Sequence, residues 1–170
     1  MPVLIDGYNL YNYVKNLYEQ QQQVHLTLAT FCELIESFAK RAHQKTTIIF
    51  DGNQPYEMKY EMPKLAYTKL IYTGHNKSAD EFIEEQIATS SAPKLLTIVS
   101  SDREILSAAK KRKCTLLTSN DYWQIIAKEL TRKKIAPLPR EKHKGLSSSE
   151  LNYWLKTFGL DEQSDFPKNK

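Results

Sequence analysis

Residues 95–121 read LLTIVSSDREILSAAKKRKCTLLTSND. Leu95 to Val99 is apolar and rich in β-branched residues, and it ends at Ser100-Ser101-Asp102. From Glu104 to Lys113, Ile105, Leu106, Ala108 and Ala109 carry the spacing of one helix face. Thr115 to Leu117 is a second short strand, and it ends at Ser119-Asn120-Asp121. Strand, acid, helix, strand, acid is the rhythm of an α/β fold with a parallel sheet and right-handed crossovers.

The same rhythm extends outward from this stretch. Toward the N-terminus, Val3-Leu4-Ile5 predicts a buried strand closed by Asp6-Gly7, and Thr46 to Phe50 predicts another closed by Asp51-Gly52. Between them, Leu28, Phe31, Cys32, Ile35, Phe38, Ala39 and Ala42 recur at helical steps across Leu26 to Gln44. Residues 53–64, polar and holding Pro55 and Pro63, predict a loop, and Lys69 to Tyr72 predicts a third strand. Ser78-Ala79-Asp80-Glu81 is a capping box that opens a helix with Phe82, Ile83 and Ile87 inward. Toward the C-terminus, Trp123 to Leu130 predicts a helix. Beyond Ile135 the pattern weakens around Pro137 and Pro139, and Ser147-Ser148-Ser149-Glu150 marks one short helix that stops at Gly159. The expected organisation is a domain over 1–135 and a basic C-terminal extension over 136–170, packed on that domain or trailing from it.

Composition sets the class. A chain of 170 residues, 41% hydrophobic and 26% charged, reads as one ordinary soluble domain. No stretch is apolar enough to span a membrane, and the N-terminus meets an acid at Asp6, too early for a secretion signal. Cys32 and Cys114 lie in apolar-patterned segments and read as reduced core residues of a cytoplasmic protein. The net charge is only +4, but Lys128, Arg132, Lys133, Lys134, Arg140, Lys142 and Lys144 face only Glu129 and Glu141 over residues 128–144. That excess suits contact with phosphates, or simply a solvated surface.

Four predicted strands are each followed by an acid: Asp6, Asp51, Asp102 and Asp121. In a parallel sheet such strand ends share one edge, where ligands bind at the point of strand-order reversal. Asp80, in the first turn of a helix, starts near that edge too. Taken singly, each acid is explained by a helix cap, a turn or the helix dipole. Five such acids at one edge are not, because converging carboxylates repel unless a cation lies between them. All-oxygen donors select Mg²⁺ or Mn²⁺, ions suited to phosphodiester cleavage. The sequence offers no cysteine–histidine pair, Gly-rich phosphate loop or nucleophile elbow to compete. An aspartyl-nucleophile phosphatase usually wants a second acid two residues after the first, where Tyr8 stands.

Leu4-Ile5-Asp6-Gly7-Tyr8-Asn9 resembles the first motif of the NYN branch of PIN-like nucleases, in particular its YacP-like group. Ser78 to Glu84, Val99 to Ile105 and Thr118 to Asp121 resemble the second, third and fourth motifs, and Ile49 to Gly52 resembles a further acidic motif of flap-nuclease-like relatives. The resemblance implies a three-layer fold with a central parallel sheet of four to five strands flanked by helices. It also implies an endoribonuclease that cuts single-stranded RNA with Mg²⁺ or Mn²⁺. One characterised member of the group is a ribosome-associated endonuclease that cuts mRNA, which makes the ribosome a candidate partner.

Carried over position by position, the resemblance makes Asp6, Asp80 and Asp102 the catalytic metal ligands. Asp51 and Asp121 become further ligands or water-positioning groups. Asn9 holds the first loop or touches phosphate, Ser101 and Asn120 orient neighbouring carboxylates, and Glu84 is either an outer acid or a solvated helix charge. RNA contacts are expected from Tyr8, Lys77, Arg103, Arg132, Lys133, Lys134, Arg140 and Lys142. Tyr8 serves either as a stacking platform or as core filler. Tyrosines and lysines interleave from Tyr56 to Tyr72, a pattern that suits unpaired bases or the packed face of a strand. The competing function is an RNA- or ribosome-binding adaptor that has lost catalysis on the same fold.

Overall fold

The computed structural model describes residues 1–22, 25–60 and 63–131. Five strands, β1 (Val3–Asp6), β2 (Thr46–Phe50), β3 (Thr68–Tyr72), β4 (Thr97–Val99) and β5 (Thr115–Leu117), form one sheet in the order β3-β2-β1-β4-β5. Every neighbouring pair is parallel. The register runs straight across: Val3 lies opposite Thr46 and Thr97, Thr46 opposite Thr68, and Thr97 opposite Thr115.

Strand alternation then sorts side chains to two faces. Val3, Ile5, Ile48, Phe50 and Val99 join one core with residues of α1 (Gly7–Gln22), α2 (Leu28–Arg41) and α6 (Ser119–Thr131). Leu4, Ile49 and Ile98 join the other with residues of α4 (Ala79–Thr89) and α5 (Arg103–Lys111). The result is the expected three-layer α/β architecture, with the central strands β1, β2 and β4 buried on both faces and the outer strands β3 and β5 partly exposed. No helix of the described residues is long and apolar enough to cross a membrane.

Several elements depart from the sequence reading. α1 was not anticipated, because it begins with no loop directly after β1. Its signal is present in Leu10, Val14 and Tyr18, a four-residue stripe that is fully buried. A short helix, α3 (Tyr56–Tyr60), occupies the expected loop; Met58, only 1% exposed, anchors it to the core. β4 begins at Thr97 rather than Leu95, because Pro93 starts a 3₁₀ turn over Pro93–Leu95 that leaves Leu95 exposed. α6 begins at Ser119, four residues early, so Asp121 lies inside its first turn. The capping box forms in full: Ser78 Oγ accepts from the Glu81 N–H, and Glu81 accepts from the Ser78 N–H.

At the edge of the sheet, the Glu36 carboxylate accepts from the consecutive N–H groups of Ala66, Tyr67 and Thr68. This ties the start of β3 to the middle of α2.

The passage from β1 into α1 depends on Gly7. A Cβ there would lie 2.5 Å from Phe50 Cδ1 and 2.7 Å from the Ile49 carbonyl oxygen. Gly7→Ala is therefore expected to destabilise the fold by about 1–3 kcal/mol through overpacking, read as a lower urea midpoint with an unchanged m-value.

Candidate active site

A parallel sheet brings the C-terminal ends of all its strands to one edge, and the order β3-β2-β1-β4-β5 reverses direction between β1 and β4. Asp6 is the last residue of β1, and Asp102 follows β4 across Ser100 and Ser101. Asp51 follows β2 directly, while Asp80 and Glu104 lie in the first turns of α4 and α5.

These charges act on one another. Burial pushes the Asp6 carboxyl above its ordinary pKa. Hydrogen bonds from Ser100 and Asn9 oppose the rise, and the charges of Asp80 and Asp102 add to it. Asp80 is also raised, by partial desolvation and then by Asp102, Asp51 and Glu104. Among the described residues none of these acids has an ion-pair partner. Nor are any three His, Cys, Asp or Glu side chains arranged, as they stand, to hold a metal ion.

What holds the acids in place is largely helix N-termini. Asp6 Oδ1 accepts from the Asn9 N–H in the first turn of α1. Asp102 is the N-cap of α5, its Oδ1 accepting from the N–H groups of Glu104 and Ile105. Asp51 Oδ1 accepts from the Ala79 N–H at the start of α4 and from Thr73 Oγ1. Capping and clustering are thus the same contacts, and in Asp102 the capping oxygen is Oδ1 alone. Asp80 accepts no hydrogen bond among the described residues.

One buried hydroxyl links the two acids that flank the reversal. Ser100, fully buried, donates from Oγ to Asp6 Oδ2 at 2.9 Å and accepts from the Asp102 N–H at 3.0 Å. Beside it, Asn9 Oδ1 accepts from the Ser101 N–H and from Ser119 Oγ, clasping the loops after β4 and β5 to α1. The Asn9 side chain therefore holds the loops after β4 and β5 rather than the first loop, where it was expected.

Other residues depart from expectation. Ser101 does not orient a carboxylate; its Oγ accepts from the Ser119 N–H, and Ser100 takes the anticipated role. Asn120 Oδ1 accepts from Tyr13 Oη and Gln124 Nε2, and among the described residues Asn120 donates to no carboxylate. Asp121 acts on neither Asp6 nor Asp80. It exchanges hydrogen bonds with Thr118 to cap α6, and its charge falls on Tyr13. Glu84 is exposed on α4, and the acid acting on Asp80 from a neighbouring helix is Glu104. Sequence reasoning missed Ser100, Ser119 and Glu104. Ser100, as the first polar residue after an apolar strand, was the one that the pattern could have exposed.

Among the expected RNA contacts, Arg103 is exposed at the first position of α5. Lys77 is paired with Glu85 and lies 5.7 Å from the Phe82 ring centroid. Tyr8 is half-buried and packs edge-on against Phe50, so core filling is its main contact, with the charge of Asp51 acting on its hydroxyl. Phe50 stacks in turn on Tyr72, so the last tyrosine of the interleaved run packs the strand face. Arg132, Lys133, Lys134, Arg140 and Lys142 lie outside the described residues.

Two crystal structures of Rae1 (YacP) from Bacillus subtilis share the fold. One, at 16% identity and a TM-score of 0.58, covers 74% of this chain and 73% of that one. The other, a tryptophan-to-leucine variant at 16% identity and a TM-score of 0.57, covers 95% and 98%. No curated protein matches by sequence. The family model of the YacP-like NYN domain matches residues 3–157, nearly the whole sequence, and the chain belongs to that family.

Proposed function

We propose that the protein is a metal-dependent endoribonuclease that hydrolyses phosphodiester bonds in single-stranded RNA at the carboxylate edge of the sheet. The observation that carries this reading is the mutual influence of Asp6, Asp80, Asp102 and Asp51 at the strand-order reversal, with no cationic side chain among the described residues paired to any of them. Gathered like charges of this kind are costly in the free protein and fit a hard divalent cation.

The donor chemistry suits Mg²⁺ or Mn²⁺, with Asp6, Asp80 and Asp102 as its holders and Asp51 as an accessory acid. Among the described residues no three side chains close around one point, and Mg²⁺ does not require that they do. That ion usually keeps several waters and binds through one or two carboxylates plus substrate phosphates. When bound, the cation would supply an acidified water and charge neutralisation at the scissile phosphate. The chain's own part is positional. Ser100 keeps Asp6 and the start of α5 in fixed relation, Asn9 fastens the flanking loops, and Arg103 stands at the α5 N-terminus where a phosphate would approach. Family membership supports RNA as the substrate class and the ribosome as a partner to test.

One observation favours a second reading, an RNA-binding adaptor without catalysis: as they stand, the acids do not form a closed metal-binding group. The two separate in one assay. Purified protein with single-stranded RNA and Mn²⁺ is expected to cut, and Asp6→Asn, Asp80→Asn and Asp102→Asn are each expected to cut on the order of 100-fold more slowly or worse. Equal cutting by wild type and Asp6→Asn would reject the assigned site. Binding that survives all three substitutions, with no cutting at any Mn²⁺ concentration, would establish the adaptor.

A pH experiment tests the electrostatics separately. The folded state raises the Asp6 pKa, so without metal the ionised group costs stability at neutral pH, and the cost is relieved as pH falls through that raised pKa. In EDTA at pH 7, Asp6→Asn is expected to melt above wild type, the gap closing as the solution is acidified. Adding Mn²⁺ is expected to raise the wild-type melting temperature and leave that of Asp6→Asn unchanged.

A further inference from the structure

The opposite edge of the sheet, where the strands begin, has the reverse charge. Lys45 precedes β2, Lys94 lies in the turn before β4, and Lys110, Lys111 and Lys113 surround the end of α5 and the approach to β5. All five are exposed, and none has an ion-pair partner among the described residues. No Asp or Glu occurs in the approaches at residues 42–46, 90–97 and 110–115.

Basic residues at helix C-termini are expected from the helix dipole alone, and two nearby cations are used in that way. Arg112 donates to the carbonyls of Ile87 and Ser90, and Arg41 to those of Glu129 and Leu130. The five lysines are not so engaged. Lys45 and Lys113 lie outside the helices altogether, and Lys94 lies in the short 3₁₀ turn over Pro93–Leu95.

The strand register sets their spacing. Pro2, Lys45, Leu96 and Cys114 precede aligned residues, and the backbone bonds Val3 N–H to Lys45 O, Thr97 N–H to Pro2 O and Thr115 N–H to Leu96 O hold that line. From β2 to β5 is three inter-strand steps, roughly 14 Å. Lys45 and Asp51 are six residues apart along β2, roughly 20 Å. One phosphate cannot meet both edges.

We infer that this lysine row is a second polyanion-binding surface, remote from the carboxylates, which docks the phosphate backbone of double-helical RNA. The surface is a row of free ammonium groups whose large exposed apolar side chains are Leu95 and, ahead of β1, Met1, so charge dominates it rather than the apolar centre of a protein–protein interface. Duplex RNA is recognised by shape and phosphate position, which a row of lysines along a rigid sheet edge can read. The inference shares with the nuclease reading only the choice of RNA and does not depend on cleavage.

The test is binding of a blunt RNA duplex to the full chain in EDTA, followed by anisotropy across a salt series. The variant carrying Lys94→Ala, Lys110→Ala, Lys111→Ala and Lys113→Ala is expected to bind at least about tenfold more weakly, with the log–log salt slope reduced by up to about 0.9 for each lysine removed. The matching lysine-to-arginine variant is expected to retain binding. Should the fourfold alanine variant melt early, Lys111→Ala with Lys113→Ala carries the same test. Unchanged affinity and slope in the alanine variants overturn the inference, as does a wild-type chain that ignores duplex RNA or prefers polyglutamate, which would assign the row to an acidic protein. Because the assay contains no metal, a failure of the nuclease reading leaves its outcome intact, and the reverse also holds.

Discussion

The fold gathers negative charge where like charges repel, and tolerates it because helices begin there. Asp6, Asp51 and Asp102 each accept backbone N–H groups from the first turn of a helix, at the partially positive end of its dipole. Without those amides only the hydroxyls of Ser100, on Asp6, and Thr73, on Asp51, would stand against the repulsion. With them, each is fastened by groups that a helix start leaves unpaired in any case. Asp80, which accepts no hydrogen bond among the described residues, is the least secured of the set and feels three other acids.

The parallel sheet makes this arrangement possible. Since all five strands point the same way, all the helices that follow them start at one edge, and their amides and the strand-end acids arrive together. The helix ends and strand starts collect at the other edge, and with them the lysines. One topological fact therefore puts the strand-end acids and the row of five lysines at opposite edges of the sheet. Ser100 shows how tightly the acidic edge is built: a single buried hydroxyl connects the end of β1 to the start of α5, across the position where strand order reverses.

Much of this was legible in the sequence. Strand runs that stop at acids gave away the sheet, its direction and the edge of interest, and the Ser78 capping box forms as read. α1 escaped because its polar residues, Asn9, Asn12 and Lys15, dilute a buried stripe, and because it starts from a strand-end acid without a separate capping loop. Asp121 was grouped with the other acids by its position after a strand. An early start to α6 instead puts it in a local exchange with Thr118, and periodicity alone does not resolve helix starts that finely. The choice between Ser100 and Ser101 turns on which side chain faces inward at a strand end. That depends on where β4 stops, and composition is silent on the point.

The Glu36 contact bears on a different hazard. β3 is the outermost strand on its side, with a row of backbone groups that no neighbouring strand covers. Slippage by one residue would turn Leu70 and Ile71 to the wrong layers. A helix carboxylate that grips three successive amides at the strand's entrance blocks such sliding from outside the sheet. It also withholds those amides from any extended segment of a neighbouring molecule, so the molecule carries its own guard against sheet-to-sheet aggregation at this border.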